Sequence, residues 1–565
     1  MPQSLIKINA SLFYALCMNT QIMPNPDSGH LTVYNGKPVA IKLMRADSFL
    51  DKVILWSWVI FFSAATYQCL FWWSIPNLVA MLYVGFAWLL LCQLYFQQFI
   101  LQRFPFSSLL IIGFAATQFY FPLVFTSIEL KPLIFNLDLP YEVFFHSMVS
   151  LFAIIAGHYV YQALPINSLR SSGSILRRLG FFSPPSELQL WLMGAIGLMA
   201  NVYVFFFSSA TATEVTGNAG DKAIQAFLPF GYSPYFIPFY MLYGGKKPDF
   251  KKTVPLLIIF TLILFLLSIA RNSRGAFMLG FTAVGFSYFL GMMLGIFKTP
   301  VISTKILVVG GFFFWLITGP LADLGTAMVI VRSQRNDISK AELIDLTLEA
   351  YNDKDAIAYR RLEDKTSESV WDERYLDNVF TARFANIKFN DASLILAEQV
   401  GDKNPAMLKY SMDYMWGIFP SPILKITNSK VDKELVYSMS FGDYLYSVAG
   451  AGPEAYGGFR TGHFAGTGMA AFGWWYLAIL GIGIIPIFLL FDRLCLIRKI
   501  ERFKGYPERQ LIFSICGLLA ITSIFQFLPT ESVMGITTYL IRGYLQMTAL
   551  YLAIFHVTKT AHYFF

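Results

Sequence analysis

The sequence predicts an all-α, polytopic integral membrane protein with about 12 transmembrane helices and a large, mostly helical extracytoplasmic loop domain. Of its 565 residues, 56% are hydrophobic and 14% are charged, and the mean hydropathy is +0.54. Apolar runs of roughly 20 residues, the length that crosses a bilayer, recur along the chain. This composition excludes a soluble globular protein. The net charge of +8 does not indicate a nucleic-acid partner, because the basic residues gather in turns between apolar runs.

The apolar runs fall into two groups on either side of one long polar segment. We predict a cytoplasmic N-terminal segment 1–52, helices 1–9 within 53–332, a loop domain 333–467, and helices 10–12 within 468–565. The individual spans are expected at 53–73, 75–96, 107–127, 142–164, 188–209, 222–244, 253–270, 275–297, 306–327, 468–491, 509–528 and 534–556. Prolines and a glycine interrupt the run 222–244, which is tolerated where a broken helix lines a cavity.

The lysine and arginine residues indicate the orientation of the chain. With the N-terminus inside, the inner turns hold most of these residues, as the positive-inside rule requires. Both termini are then cytoplasmic, and 333–467 lies outside. This segment is predicted to fold, because residues 379–400 repeat apolar side chains at helical spacing. Its glycine-rich stretch 442–468 is typical of a mobile loop that closes over a site.

Arg271 and Arg274 are the most informative residues of the sequence. They lie in a short turn between two apolar runs on the outer side, where the topological bias disfavours arginine. Arginine is well suited to clamp a phosphate or carboxylate, and a helix N-terminus at Gly275 also favours an anion. We therefore predict an anion site. The alternative is that the two side chains reach outward to lipid headgroups.

Three further residues point to chemistry at the outer face. Arg542 lies inside the last apolar run, about 12 Å from its outer end, and should face a cavity or pair with a carboxylate such as Glu531 or Asp323. His463 stands near Arg460 in the glycine-rich loop. A histidine beside a cation can act as a general base, whereas a solvated loop histidine is the ordinary alternative.

The loop domain adds arginines and acids. Arg383 is the best placed of its arginines to line a sugar or phosphate groove, because it falls on the predicted helix 379–400. Asp323, at an outer helix end, and Glu454, in the glycine-rich loop, are the plausible acids. The sequence has no Walker A pattern and no HExxH motif, and no Asp-x-Asp pair directly follows the first span on the outer side. We therefore expect neither a metal nor another cofactor.

Three short stretches resemble a known family. They are Ser268–Ala276 (SIARNSRGA), Phe419–Lys425 (FPSPILK), and Gly462-His463 followed by Phe472–Tyr476 (FGWWY). In these stretches, and in its plan of many spans with one large loop late in the chain, the protein is similar to the bacterial O-antigen polymerases (Wzy type) and the related O-antigen ligases. The ligases usually show a His-Asn pair, whereas Phe464 follows His463 here, which favours a polymerase.

The resemblance implies a polysaccharide polymerase, a membrane glycosyltransferase of the bacterial inner membrane. It would transfer a growing glycan from undecaprenyl diphosphate to a lipid-linked repeat unit at the outer face, without a metal. The arginines implied to hold the diphosphate or the glycan are Arg271, Arg274, Arg542, Arg383 and Arg460. The implied proton acceptors are His463, Asp323 and Glu454. The expected partners are the undecaprenyl-diphosphate-linked oligosaccharide, the lipid bilayer and a membrane protein that regulates chain length, with no nucleic acid.

Three other functions stay open at this stage. One is an O-antigen ligase. A second is a transporter or flippase of lipid-linked glycans, which predicts intramembrane charges on both sides of the midplane and often a repeat between halves. The third is a structural subunit of an envelope synthase, which predicts that alanine at Arg271 or Arg274 leaves activity intact.

Overall fold

The computed structural model of the protein is mostly helical. It describes residues 31–34, 37–40, 47–164, 175–206, 224–270, 274–297, 315–316, 319–331, 340–366, 371–378, 380–419, 421–431, 433, 436, 439–456, 458, 460–502, 506–526 and 531–561.

The N-terminal half holds most of the long helices. Its strands are β1 (Leu31–Tyr34) and β2 (Lys37–Ala40). Its helices are α1 (Asp47–Phe71), α2 (Ile75–Leu94), α3 (Gln98–Arg103), α4 (Pro105–Ala115), a π-helical turn (Ala116–Tyr120), α5 (Phe121–Ile128), α6 (Pro140–Ala163), α7 (Ile175–Arg178), α8 (Glu187–Phe206), a 3-10 helix (Leu228–Phe239), α9 (Tyr240–Tyr243), α10 (Phe250–Ala270) and α11 (Arg274–Met293).

Shorter helices dominate the second half. They are α12 (Pro320–Ile330), α13 (Lys340–Asn352), α14 (Lys354–Thr366), a 3-10 turn (Thr381–Phe384), α15 (Ile387–Val400), α16 (Pro405–Gly417), α17 (Ser421–Ile426), α18 (Phe441–Tyr446), a π-helical turn (Ser447–Ala451) and a 3-10 turn (Gly452–Ala455). The chain continues with α19 (Phe464–Phe472), α20 (Trp475–Asp492), β3 (Cys495–Arg502), β4 (Tyr506–Phe513), α21 (Ile515–Leu519), α22 (Ile521–Phe525), α23 (Gly535–Thr538), a π-helical turn (Tyr539–Gly543) and α24 (Tyr544–Ala561).

Within the described residues, eight helical segments are long and apolar enough to cross a membrane. They are Phe49–Phe71, Ile75–Leu94, Pro105–Ile128, Pro140–Ala163, Glu187–Val204, Phe250–Ser268, Trp475–Asp492 and Gly535–Ala561. Each coincides with one of the twelve predicted spans. The structure therefore supports a mostly helical membrane protein.

The other four predicted spans are not among these eight helical segments. The run 222–244 forms a 3-10 helix containing Pro234 and Pro238, because proline removes the N–H that an α-helix needs. The run 509–528 divides into strand β4 and the short helices α21 and α22. The run 275–297 largely coincides with the helix α11, and half of 306–327 lies outside the described residues.

Two antiparallel hairpins depart from the all-helical prediction. Strand β1 pairs with β2, with Leu31 opposite Ala40, and β3 pairs with β4. The described residues up to Ala40 and those of 497–510 belong to one compact unit, and the other described residues belong to a second. Hydropathy did not predict β3 and β4 because the turn 493–509 stood out only as a run of basic residues.

Hydrogen bonds show which helix ends lie together. Gln68, near the end of α1, donates to the carbonyl of Lys131 (2.9 Å). The hydroxyl of Tyr375 donates to the carbonyl of Leu133 (2.6 Å). The loop 129–139 joins α5 to α6, so the end of α1, this loop and the segment around Tyr375 meet at one end of the bundle. We call it the loop end.

A buried carboxylate lies at the opposite end. Asp492 closes α20 and is 1% exposed. Its Oδ1 accepts the backbone N–H groups of Phe106 (3.0 Å) and Ser107 (3.2 Å). Its Oδ2 accepts the hydroxyls of Ser107 (2.6 Å) and Tyr161 (3.1 Å). The two N–H groups belong to the first turn of α4, so Asp492 caps this helix from another part of the chain.

Part of the predicted loop domain packs inside the bundle. The N–H of Asn386 donates to the carbonyl of Thr117 (3.2 Å). Thr117 lies within the span Pro105–Ile128, about 17 Å from its end at 1.5 Å per residue. Asn390 donates to Ser147, inside α6 (3.1 Å). Helix α15 therefore begins within the membrane-spanning bundle.

A close backbone approach provides a test of this packing. A Cβ added at Gly113, in α4, would lie 1.8 Å from the carbonyl oxygen of Phe525. We expect Gly113→Ala to force α4 and α22 apart and to destabilise the protein by about 2 kcal/mol or more. The measurement is the thermal melting temperature in detergent. The matched control is Gly285→Ala, whose Cβ would meet nothing within 4 Å; equal melting temperatures for the two variants would contradict the packing.

Candidate functional site

The helices that flank the predicted arginine pair meet the loop end. Helix α10 ends at Ala270 and α11 begins at Arg274. Phe265, one turn before the end of α10, packs against Leu321 and Phe380. Phe380 follows closely on Tyr375, which places the end of α10 at the loop end. Arg271 and the side chain of Arg274 lie outside the described part of the structure.

Arg460 is held by a buried carboxylate. Its Nη1 lies 3.1 Å from Asp443 Oδ1 and also donates to the carbonyl of Ala455 (2.9 Å). Its backbone N–H donates to the same Asp443 oxygen (3.1 Å). The Asp443 side chain is fully buried, and the guanidinium stacks over Tyr446, 4.5 Å from the ring centroid. The loop arginine is thus fixed in position.

A second carboxylate ties this loop to the segment 371–378. Glu373 Oε1 accepts the indole N–H of Trp371 (2.9 Å) and the backbone N–H of Thr461 (3.3 Å). Thr461 directly follows Arg460. Two elements far apart in sequence therefore meet at one carboxylate.

Glu531 brings a third carboxylate to the same place. Its carboxylate accepts the backbone N–H of Phe441, and its main-chain carbonyl accepts the hydroxyl of Thr467 (2.8 Å). Burial raises the pKa of Glu531 to about 7, and the nearby carboxylates of Asp443 and Glu373 contribute. We call Glu373, Asp443 and Glu531 the carboxylate cluster.

Tyrosines border the carboxylate cluster. The rings of Tyr410 and Tyr444 stack with centroids 4.0 Å apart. Burial raises the pKa of Tyr410, and the neighbouring Tyr414, Glu531, Tyr444 and Asp443 raise it further, so its phenol stays protonated. Tyr444 is half-buried and Tyr456 is exposed. Aromatic faces beside hydrogen-bonding carboxylates suit the mixed apolar and polar surface of a sugar ring.

His463 is enclosed rather than solvated. It is 2% exposed and caps α19 by accepting the N–H of Ala465 at Nδ1 (3.3 Å). Its backbone N–H donates to Ser393 Oγ (2.8 Å). Nε2 is buried and has no hydrogen-bond partner among the described residues. Burial, with His146 nearby, lowers the pKa of His463 to about 3, so the ring is neutral and carries its proton on Nε2.

The other predicted site residues lie on elements that carry no member of the cluster. Asp323 pairs with Lys354 (2.9 Å), a residue that is largely exposed. Glu454 is exposed on the 3-10 turn that precedes Tyr456. Arg542 is exposed on the last helical segment, where its Nε donates to Gln546 (3.3 Å).

The placement of Arg383 on the predicted helix 379–400 was wrong. The α-helix begins only at Ile387, and Arg383 lies exposed in a 3-10 turn ahead of it. The apolar spacing continued through both elements because the turn packs Phe384 against Phe121 and Phe286 of the bundle.

Sequence reasoning paired His463 with Arg460 but missed the carboxylate cluster. Its three members are spread over residues 373–531, so no local spacing reveals them. Glu531 offered one signal, since it is a carboxylate directly before a span. Sequence reasoning considered Glu531 only as a partner of Arg542.

Within the described part of the chain, no group of three or more histidine, cysteine, aspartate or glutamate side chains could hold a metal ion. No family model matches the chain, and no curated protein or solved structure matches it significantly. The likeness to O-antigen polymerases therefore rests on the short stretches of sequence quoted above.

Proposed function

We propose that this protein is a polysaccharide polymerase that transfers a growing glycan from undecaprenyl diphosphate to a lipid-linked repeat unit. The observation that carries the proposal is the carboxylate cluster at the loop end of the bundle, the end at which α10 finishes and α11 begins with Arg274. Cations for a diphosphate and carboxylates for a sugar hydroxyl are the two chemical components that this transfer requires.

The diphosphate is assigned to the turn between α10 and α11. Negative charge builds on the diphosphate as the glycosidic bond to the lipid breaks, and arginine stabilises that charge by paired hydrogen bonds. Helix α11 begins at Arg274, and its N-terminal N–H groups add positive potential. Arg542 is exposed on the last helical segment and is a further candidate contact for the diphosphate.

Arg460 has a different part in this proposal. Its charge is compensated by Asp443, so it is less suited to hold a second anion. It fixes the loop 458–463 against Tyr446 and orients the cluster. Arg383, exposed in its 3-10 turn, remains a candidate contact for the glycan.

The glycan is assigned to the tyrosine-lined side of the carboxylate cluster. Tyr444, Tyr446 and Tyr456 offer partly exposed aromatic faces, and Glu373 is exposed. Helices α15 and α19 pack inside the bundle below them, which brings the glycan side of the site close to the lipid headgroups. A lipid-linked substrate needs this arrangement, because its sugars and its diphosphate lie on either side of the headgroup plane.

We also propose the membrane in which the protein lies and its orientation there. The loop end faces the periplasm, both termini are cytoplasmic, and the protein lies in the bacterial inner membrane. The basic turns between the other helix ends support this orientation.

The test is polymerisation by the purified protein. We expect the protein in liposomes, given a defined undecaprenyl-diphosphate-linked repeat unit, to form a ladder of lipid-linked oligomers on a gel. Product that forms only when a lipid A core acceptor is added would indicate a ligase. Movement of intact substrate across the bilayer without any ladder would indicate a transporter.

A further inference from the structure

We propose that Glu531 is the general base that accepts the proton of the acceptor sugar hydroxyl. This inference rests on the proposed function and adds a catalytic residue to it. It follows from the position of the Glu531 carboxylate in the cluster. It also follows from the surroundings of His463, Asp323 and Glu454, the three proton acceptors that the sequence suggested.

The backbone fixes Glu531 on two sides. Its carbonyl accepts the hydroxyl of Thr467, in α19, and that hydroxyl also lies 3.1 Å from the carbonyl of His463. Its carboxylate accepts the N–H of Phe441, at the start of α18. The residue stands between two short helices of the site and just ahead of the helix that carries Arg542. The residue as a whole is partly exposed.

The groups facing Glu531 disfavour its charge. Asp443 and Glu373 add negative potential from α18 and from the segment 371–378, and Tyr410 approaches from α16. Arg460 is the cation of the site, but it is bound to Asp443. Glu531 consequently has a pKa of about 7, near the pH at which a general base is most effective.

The suggested acceptors are less suited to the role. His463 uses its Nδ1 lone pair for the N–H of Ala465, and its Nε2 is buried and protonated. Asp323 is paired with Lys354. Glu454 is an exposed carboxylate on a surface turn.

The proposed step balances in atoms and electrons. The acceptor hydroxyl oxygen forms a bond to the anomeric carbon of the donor glycan, and its proton passes to the Glu531 carboxylate. The bond from that carbon to the phosphate oxygen breaks, and its electron pair leaves with undecaprenyl diphosphate. Glu531 then returns the proton to water before the next transfer.

The test compares polymerisation rates from pH 5.5 to 9 for wild type, Glu531→Gln and Glu531→Asp in liposomes. We expect the wild-type rate to rise with pH around a midpoint near 7. Glu531→Gln should lose about 10²- to 10⁴-fold and show no such rise. Glu531→Asp should keep measurable activity with a displaced midpoint. Glu398→Gln, an exposed acid on α15, is the matched control and should behave as wild type.

A stability measurement separates catalysis from structure. Because folding raises the pKa of Glu531, its ionised form is disfavoured in the folded protein above pH 7. Glu531→Gln should therefore melt at the same temperature as wild type at pH 8, or a few degrees higher, while losing activity. A purely structural glutamate would instead lower the melting temperature.

Two results would overturn the assignment of Glu531 as the general base, and only the second would also overturn the proposed polymerase. An active wild type, with Glu531→Gln retaining its rate and its pH profile, would remove Glu531 as the base and leave the polymerase in place. A folded wild type that forms no ladder from native substrate would remove both. If Glu531→Gln does not fold, the displaced or unchanged midpoint of Glu531→Asp decides.

Discussion

Replacement of Arg274 by alanine is expected to reduce polymerisation by at least about 10²- to 10³-fold, the usual cost of removing one donor to a developing negative charge. Arg274 opens α11 at the loop end, next to the position of Arg271. Arg274→Lys should recover only part of the rate, because an ammonium cannot form the paired hydrogen bonds of a guanidinium. The measurement is the initial rate of oligomer formation at saturating lipid-linked repeat unit.

The matched control is Arg178→Ala. Arg178 is exposed in α7, which by its place between α6 and α8 lies at the opposite end of the bundle. It should leave the rate unchanged. A full rate for Arg274→Ala, with normal protein yield, would favour the structural-subunit or headgroup alternatives.

Replacement of Asp492 by alanine should cause the largest loss of stability. Four buried donors from Phe106, Ser107 and Tyr161 would lose their acceptor, and the first turn of α4 would lose its cap. Loss of one partner from a buried charged network costs about 3–5 kcal/mol. We expect a greatly reduced melting temperature in detergent and a low yield of folded protein.

Asp492→Asn should be milder. An amide can still accept the two backbone N–H groups through its oxygen, although its NH₂ group opposes the two hydroxyl donors. Asp51→Ala, at an exposed position of α1, provides the control and should melt as wild type. If Asp492→Ala melted at the wild-type temperature, Asp492 would not be the anchor of this end of the bundle.

Hydropathy predicted the spans well wherever one continuous apolar run forms one helix, as in α1, α2 and α6. It failed where the backbone breaks. Prolines turn the run 222–244 into a 3-10 helix, and the run 509–528 divides at Ala520 between α21 and α22. Composition shows only how apolar a segment is. Where the helix breaks depends on which neighbouring groups hydrogen-bond to its freed backbone N–H and C=O groups.

The candidate site was predictable only in part, for a related reason. Charge bias drew attention to Arg271 and Arg274, and glycine content drew attention to the loop of Arg460 and His463. The carboxylate cluster joins the segment 371–378, α18 and the start of the last span, and only the tertiary fold brings these together. The burial of His463 was equally hidden, because it follows Gly462 in a glycine-rich stretch that suggests exposure.

The most direct test of the proposed polymerase is the amount of undecaprenyl diphosphate released by the purified protein in liposomes. The substrate would be one defined lipid-linked repeat unit. The proposed transfer predicts one lipid diphosphate released for every new glycosidic bond, with oligomers accumulating on the remaining lipid. Folded protein that releases no lipid diphosphate from native substrate, or releases it without forming oligomers, would contradict the proposal.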